Sequence, residues 1–401
     1  MSTERSRPGH PRDVVVVCPT EYGGQLEHAA DLALALEASS DVAAVALVSR
    51  PGAREYLGWG PGHPVRVVET VPPRRTTVPA SSPGKVLRAG LQVADLLREH
   101  LAVRAAARRA GADAVLALDS TKYPVPGALR ARRTQRTAVF VHNAQPHFDL
   151  ASASVREKVL LWLDRACARR ADRVITHGAE QAEIVRGYTD RPVSAVALPV
   201  SSRLDPQVPT ATTGTDAGPH ALCIGEVRAN KGIEHAVVAA GEAGVPLLVR
   251  GAAESPELGA ELTRLATRYP AVDFEDRFLS REEFAGHVRD AAVIVLPYTH
   301  FDAHSGVLAK AIGTDTRVVA SDLASLREQA GDYPGFTAAD IRDPAAFGRA
   351  LRAAFDNAVA SGPRAGAGAS GVAPSHGTGP APVDHTDWEP SVAAVLGVQV
   401  A

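Results

Sequence analysis

Short runs of aliphatic and β-branched residues alternate with longer stretches of helical period along most of the chain, and this series occurs twice. The first series begins with the run at residues 14–18 and the second with the run at residues 220–224. Continuous apolar runs are typical of strands buried on both faces of a parallel sheet, and intervening helices are typical of βαβ units. The pattern therefore predicts an α/β protein with two parallel-sheet domains.

Segments rich in Pro, Gly, Thr and Ser separate these domains and follow the second one. They predict a disordered N-terminus at residues 1–12, a first domain at 13–199, a linker at 200–219, a second domain at 220–360, a disordered tract at 361–382 and a C-terminal helix at 383–401. Ligands of open parallel sheets bind beyond the carboxyl ends of the strands. We therefore expect the two domains to face each other across a ligand-binding cleft.

Composition narrows the class of protein. Hydrophobic residues make up 45% of the 401 residues and charged residues 22%, as in soluble globular proteins. No apolar run approaches the roughly 18 residues of a membrane span, and the first residues lack the apolar core of a signal peptide, so we expect a cytoplasmic protein. Cys18, Cys167 and Cys223 lie far apart, which indicates neither a disulfide framework nor a metal site.

The charge is unevenly distributed. Residues 1–205 carry a formal charge of +7 and the remaining residues carry −9. Arginines at residues 85–110 and 130–136 supply much of the positive charge, and a basic helix of this kind can rest on an anionic lipid surface. A solvated arginine-rich face explains the same pattern. With only 5% aromatic residues, the chain lacks the stacking platforms of nucleic-acid-binding proteins, so we expect no nucleic-acid partner.

The first candidate site is the segment GEVRANKGI, which follows the first predicted strand of the second domain. Arg228 and Lys231 place two cations after Gly225 and close to the start of a helix. Free amides and the helix dipole favour anions at the same place. The segment predicts a diphosphate-binding loop, although an ordinary solvated loop has the same sequence features.

The second candidate site is the segment LPYTHFDAHSGVL in the same domain. Ser305 is a good N-cap, and Gly306 lets an anion approach the first amides of the next helix closely. Because this segment also follows a strand, we expect it at the same edge of the sheet as Gly225. A capped helix without a ligand is the structural alternative.

The third candidate site is the segment VHNAQPH in the first domain. His142 lies at the carboxyl end of a predicted strand, where an imidazole can donate a hydrogen bond or titrate near neutral pH, and His147 follows it. A purely structural histidine is the simpler alternative. Glu21, Tyr22 and Gly24 lie in the turn after the first strand, where backbone amides can reach a phosphate or an acceptor.

The chain also resembles a known family. In their order, GGQLEHAADLA, VHNAQPH, ADRVITH, GEVRANKGI, VLPYTHFDAHSGVL and RVVASDL resemble the motifs of the retaining, nucleotide-sugar-dependent glycosyltransferases of the group 1 (family 4) type. The resemblance spans residues 14–323. It implies two Rossmann-like domains facing across a cleft, which is the GT-B architecture, with the acceptor bound mainly by the first domain and the nucleotide sugar by the second.

The resemblance implies a reaction as well: a hexose-type sugar passes from a UDP- or GDP-linked donor to a hydroxyl acceptor with retention of configuration, without a metal ion or a resident cofactor. His142 is expected to contact the transferred sugar, while Arg228 and Lys231 neutralise the diphosphate. The other implied site residues are Gly24, Gly225, Asp302, Ser305, Gly306, Val307 and Lys310 for the donor, and Glu21, Tyr22 and His147 for the acceptor. A lipid-linked acceptor or a polysaccharide precursor is expected, the former with peripheral contact at the inner face of the membrane.

Two positions depart from the family pattern. Glu226 follows the glycine where many members carry arginine, and Asp302 and Lys310 occupy the acidic positions of the Glu-x7-Glu motif. Lys310 cannot accept a hydrogen bond from a ribose hydroxyl as a carboxylate would. Two alternatives therefore stay open, namely a catalytically silent protein that binds a nucleotide sugar and a sugar-nucleotide epimerase of the same architecture.

Overall fold

The computed structural model describes residues 11–71, 82–145, 154–199, 218–362 and 388–398. These residues form two compact units, one containing the chain up to Val196 together with the C-terminal helix, and the other beginning at Ala197. We call them the first and the second unit. Most of the predicted disordered N-terminus, linker and Gly/Pro/Ala-rich tract lies outside the described residues.

The first unit is built on a parallel sheet of seven strands. These are β1 (Arg12–Val17), β2 (Val42–Ser49), β3 (Arg66–Glu69), β4 (Val115–Leu118), β5 (Arg136–Val141), β6 (Arg173–His177) and β7 (Val193–Val196), in the order β3-β2-β1-β4-β5-β6-β7. The helices are α1 (Gly24–Glu37), α2 (Ala53–Leu57), α3 (Ser82–Arg109), α4 (Val155–Arg170) and α5 (Ala179–Arg186). β1 begins at Arg12, whose amide donates to the Asp41 carbonyl.

Both faces of this sheet are buried. Along β1, Val14 and Val16 join the core that α1 and α2 cover, whereas Val15 and Val17 join the core beneath α3, α4 and α5. Successive side chains of a strand point to opposite faces, so an unbroken run of valines is what a strand between two helical layers requires.

The second unit repeats this architecture with six parallel strands. They are β8 (Ala221–Ile224), β9 (Leu247–Arg250), β10 (Val272–Glu275), β11 (Val293–Leu296), β12 (Arg317–Ser321) and β13 (Phe336–Ala339), in the order β10-β9-β8-β11-β12-β13. The helices are α6 (Ile233–Ala243), α7 (Pro256–Ala266), α8 (Arg281–Asp290), α9 (Gly306–Gly313), α10 (Ala324–Ala330) and α11 (Pro344–Ala360). Two parallel sheets with helices confirm the predicted α/β class.

The last helix, α12 (Glu389–Leu396), lies in the first unit, where it contacts α1 and strands β4, β6 and β7. Trp388 precedes it and is only 5% exposed in the core under α1. The C-terminal segment is therefore part of the first unit, although the chain of the second unit separates the two in sequence.

Candidate functional site

In both units most candidate residues follow the pair of strands at which the strand order reverses, and His142 follows β5, the neighbour of that pair in the first unit. In the second unit β8 and β11 are neighbours, yet the chain continues from β8 to one edge of the sheet and from β11 to the other. In the first unit β1 and β4 have the same relation. The connections after two such strands diverge, which leaves a crevice at their carboxyl ends where ligands of doubly wound sheets bind.

The Lys231 side chain lies beside Gly225, the glycine that follows β8. Gly225 has a φ of 101°, and a Cβ atom added to it would lie 3.5 Å from the Lys231 Nζ. Burial, with a smaller contribution from Arg228, lowers the pKa of Lys231 to about 8. The Lys231 ammonium group is partly desolvated, and Gly225 has no side chain that would keep an anion away from it. Lys231 is therefore well placed to bind an anion.

The loops after β8 and β11 are joined by hydrogen bonds. The Thr299 amide donates to the Asn230 carbonyl at 3.0 Å, and the Asn230 side chain donates to the His300 carbonyl at 3.3 Å. Gly232 has a φ of 56°, and a Cβ there would lie 2.3 Å from the Pro297 carbonyl oxygen. The two candidate segments predicted from the sequence are therefore adjacent.

Ser305 is the N-cap of α9, but its own amide is already bonded. Its hydroxyl accepts from the Leu308 amide at 3.3 Å and lies 3.2 Å from the Tyr298 hydroxyl. The Gln329 side chain accepts from the Ser305 amide at 2.6 Å and donates to its carbonyl at 2.8 Å. The Ser305 amide is therefore already bonded within the protein, and the implied contact of Ser305 with the donor stays a prediction.

Gly306 and Val307 begin α9, and Gly306 is exposed, with no atom within 4 Å of an added Cβ. Their amides are among the first of the helix, which has no earlier turn to accept from them. An anion could therefore approach them without displacing a side chain at Gly306.

The other cations of the second unit differ in their surroundings. Arg228 forms an exposed ion pair with Glu226, 2.5 Å between nitrogen and oxygen, so this carboxylate competes with any anionic ligand. The Lys310 Nζ lies 5.9 Å from the centre of the Phe284 ring, and that ring would approach a Cβ at Gly225 to 3.9 Å. Lys310 thus lies near the same loop. Asp302 is buried, with 3% of its surface exposed.

In the first unit a buried carboxylate holds two histidines. Asp119 follows β4, and its Oδ1 lies 2.8 Å from the His28 Nδ1 and 2.8 Å from the His142 Nε2. The Asp119 side chain is completely buried, whereas that of His142 is 27% exposed. His142 is thus the member of this group that a ligand can reach.

The charges of this group are coupled. Burial opposes the charged form of Asp119, but the attraction and hydrogen bonds of His142 and His28 outweigh it and lower the pKa of the carboxyl. Burial likewise opposes the charged form of His142, and Asp119 nevertheless raises the pKa of the imidazole. The arrangement favours an aspartate and imidazolium pair.

Aromatic rings surround these side chains. The His28 ring lies 5.0 Å from His177 and 5.3 Å from Trp388, measured between ring centres. Within the described part of the chain, His28, Asp119 and His142 form one group that could share a metal ion, since their ligand atoms lie within 4.8 Å of one another. Two contacts of 2.8 Å to a single oxygen are also ordinary hydrogen-bond distances, so the geometry needs no ion.

The other predicted residues that are described in the first unit, Glu21, Tyr22 and Gly24, precede or begin α1. The Glu21 Oε2 lies 3.7 Å from the Nε of Arg50, whose side chain is buried, and the two form an ion pair. Tyr22 is 53% exposed, and Gly24 begins α1 with open space around it. His147 lies outside the described residues.

Sequence reasoning missed Asp119 and His28. Asp119 was detectable in principle, because it is an acidic residue directly after the buried strand of β4, at the carboxyl end where sites form. His28 carries no such signal: it is one of several polar residues of α1, and only the tertiary fold brings it to Asp119.

A groove of ≈ 770 Å³ lies elsewhere in the second unit, lined by His220, Arg289, Asp315 and Arg317 among others. These residues precede or flank the amino ends of β8, β11 and β12, the opposite edge of the sheet from Gly225. None of the predicted site residues lines it.

No protein-family model matches the chain, and no curated protein matches it in sequence. In structure, the chain is similar to sucrose-phosphate synthase from Thermosynechococcus elongatus, with 16% identity, 96% of this chain and 94% of that chain covered, and a TM-score of 0.64. It is also similar to a UDP-forming α,α-trehalose-phosphate synthase from Burkholderia xenovorans, solved with glucose-6-phosphate (15% identity, 86% and 92% covered, TM-score 0.57). Anabaena HepE, solved with UDP and glucose, is a third such structure (15% identity, 88% and 95% covered, TM-score 0.57).

At these identities the similarity establishes the fold, which is that of the GT-B glycosyltransferases. The predicted α/β fold of the two units is thereby confirmed. Among the described residues, no helix is both long and apolar enough to span a bilayer.

Proposed function

We propose that the protein is a glycosyltransferase that moves a sugar from a UDP- or GDP-linked donor to a hydroxyl acceptor, with retention and without a metal ion. The junction of the loops after β8 and β11 supports this proposal, because it joins the segment of Gly225 and Lys231 to the segment that leads into α9. Solved proteins of the same fold include one in complex with UDP and glucose.

Sugar transfer leaves a nucleoside diphosphate, so negative charge grows on the bridging oxygen as the glycosidic bond breaks. Fixed cations and amides aimed at that oxygen stabilise the transition state more than the ground state. Lys231 and the amides of Gly306 and Val307 fill this role in our proposal. Arg228 joins them when the diphosphate displaces Glu226, and Ser305 acts by holding the start of α9 in place.

The other predicted roles belong to the same proposal. Gly24, Asp302 and Lys310 contact the donor, His142 contacts the transferred sugar, and Glu21, Tyr22 and His147 contact the acceptor. The position of Lys310 beside Phe284 near Gly225 supports a contact with a donor phosphate rather than with the ribose.

Nucleotide binding tests the diphosphate site. Titration calorimetry with UDP and GDP should show Lys231→Ala weakening the preferred nucleotide about 10- to 100-fold, the loss expected for a charge-assisted hydrogen bond. Arg228→Ala should weaken it less, and Arg264→Ala, which removes an exposed arginine of α7, should leave it unchanged. Equal affinities of the intact protein and Lys231→Ala would refute the assignment.

Transfer itself needs a separate assay, because the two alternatives also bind a nucleotide sugar. Release of UDP or GDP from a panel of nucleotide sugars in the presence of cell extract would indicate transfer. Tight donor binding with no release would favour the catalytically silent alternative, and an epimeric nucleotide sugar formed without acceptor would favour the epimerase.

The surface of the first unit supports an acceptor held at a membrane. Val93, Leu97 and Leu101 form an exposed row on α3. Val155, Val159 and Trp162 form a second exposed row on α4. Residues four or three apart share one face of a helix, so each row is continuous. Both helices cover the same face of the sheet.

The charge of these two helices complements an anionic surface. α3 and α4 carry 11 Lys and Arg residues against four acidic ones, and all four acids have protein partners within the unit: Asp95 with Arg98, Glu99 with Arg50, Glu157 in the α4 capping box and Asp164 with Thr121. Exposed apolar side chains on helices with an excess of basic residues are the composition of a membrane-docking face. We propose that anionic phospholipid is its partner, with the protein peripheral at the cytoplasmic side.

Trp162 offers a direct probe, because Trp59 and Trp388 are buried. Phosphatidylglycerol-containing vesicles should shift its fluorescence to the blue and co-sediment the protein, phosphatidylcholine vesicles should do neither, and added salt should weaken binding. Leu97→Gln with Leu101→Gln should abolish the effect, whereas Phe278→Gln in the second unit should not. Binding unaffected by lipid charge, or a dimer that the paired substitutions dissolve, would contradict a lipid partner.

A further inference from the structure

We propose that Asp119 is the positioning residue of His142: it binds the Nε2 of the imidazole and leaves Nδ1–H as the group that faces the substrate. His28 completes the arrangement by donating to the same carboxylate oxygen. The kinetic consequence rests on the proposed glycosyltransferase function, while the geometric and charge-state claim does not.

The hydrogen bonds determine which nitrogen is protonated. A carboxylate only accepts hydrogen bonds, so both nitrogens at the Asp119 Oδ1 must carry protons. These are the His28 Nδ1 and the His142 Nε2. The second nitrogen of the His142 ring, Nδ1, is then the one left for a ligand, just as a second carboxylate fixes the free nitrogen of many metal-bound histidines.

The burial of Asp119 indicates the charge of this group. Its side chain is completely buried, and its Oδ2 has no hydrogen-bond partner within the described residues. A buried carboxylate so poorly solvated requires a nearby cation, and His142 is the partner that also reaches solvent. The imidazole therefore presents a charged Nδ1–H donor rather than a neutral acceptor.

The surroundings keep both partners in place. The Gln181 side chain donates to the His142 carbonyl at 2.8 Å, and the Gln25 side chain donates to the Asp119 carbonyl. The titratable groups that face the pair are His28 from α1, Cys18 after β1 and His177 at the end of β6. Burial raises the pKa of Cys18 to about 12, so this thiol adds no charge near neutral pH.

An imidazolium held in this way suits a reaction that generates negative charge. It can donate to a sugar hydroxyl or to a phosphate oxygen without losing its proton, because Asp119 keeps it charged. A mobile or neutral His142 would lose this donor for part of the time.

The charge state can be measured without any activity assay. In ¹⁵N-histidine NMR of the full chain, with the signal assigned by its absence in His142→Gln, both ring nitrogens of His142 should be protonated at neutral pH. In Asp119→Asn the titration midpoint of His142 should fall. Asp113→Asn, which changes an exposed carboxylate at the amino end of β4, should leave it unchanged.

Kinetics then test the role. Asp119→Asn should lower kcat about 10- to 100-fold with a smaller change in the donor KM, as expected when a reacting group is misplaced. The alkaline limb of its pH profile should move to lower pH, because the imidazole loses its proton earlier. A purely structural aspartate would lower the amount of folded protein without moving that limb.

The possible results distinguish the positioning role of Asp119 from the proposed glycosyltransferase function. A neutral His142 in the intact protein at pH 7, or an unchanged midpoint in Asp119→Asn, overturns the proposal whether or not transfer is observed. The first of these needs no variant and so decides the matter even if Asp119→Asn does not fold. Absence of transfer with a charged His142 overturns the proposed function only.

Discussion

The two candidate regions differ in how their charged side chains are paired and buried. In the first unit a buried carboxylate neutralises a histidine inside the protein, with the charges 2.8 Å apart and mostly shielded from water. In the second unit Arg228 and Lys231 lie in the segment after β8, Lys310 lies on α9, and the pairing of Arg228 with Glu226 is exposed. The first region is complete without a ligand, whereas the second gathers positive charge that a diphosphate would neutralise.

The difference teaches where rigidity is required. A group that must present one particular nitrogen benefits from a buried partner, because displacement of that partner is costly. Cations that must release a product benefit from exposure, because exposed ion pairs contribute little to stability and exchange easily. Removal of one acid from each region is therefore expected to have very different effects.

Asp119→Ala should lower the free energy of unfolding of the first unit by about 3 to 5 kcal/mol, because it leaves buried histidines without their acceptor. Glu226→Ala should change the stability of the second unit by no more than about 1 kcal/mol. Urea unfolding can separate these effects. All three tryptophans lie in the first unit, so their fluorescence reports on that unit alone, whereas circular dichroism reports on both units. Equal losses would show that the regions do not differ in this way.

Gly232→Ala tests whether backbone geometry builds the second region. Its φ of 56° already disfavours a side chain, and the added Cβ would collide with the Pro297 carbonyl, so we expect a loss of about 2 to 5 kcal/mol and weaker UDP binding. Gly244→Ala is the matched control: its φ is 65° but nothing lies within 4 Å, so strain alone should cost about 1 to 2 kcal/mol. UDP affinity retained in Gly232→Ala would show that the loop junction does not shape the site.

The smallest effect concerns pH. The pKa of Lys231 is about 8, so the ammonium loses its proton as the pH rises through that value. UDP affinity should fall about threefold between roughly pH 7.5 and 8.5, from the proton linkage of a single site. Lys231→Arg should remove this dependence, because guanidinium stays charged. An alkaline fall that persists in Lys231→Arg would assign it to another group.

The apolar runs at residues 14–18 and 220–224 indicated β1 and β8 because these strands are buried on both faces. No such run marks β13, because Phe336–Ala339 is short, mostly half-buried and poor in β-branched residues. In the candidate site, Gly225, Lys231 and Gly306 follow from local rules for loops and helix starts. The bonding of the Ser305 amide to Gln329 and the convergence of His28 on Asp119 depend on contacts between distant segments, which no local pattern encodes.

A crystal structure of the protein with UDP tests the central claim most directly. We predict that the diphosphate lies within hydrogen-bond distance of the Lys231 Nζ and of the amides of Gly306 and Val307, with Arg228 turned away from Glu226 toward it. A diphosphate bound in the groove near Arg289 and Arg317, or anywhere else away from Gly225, would contradict the account.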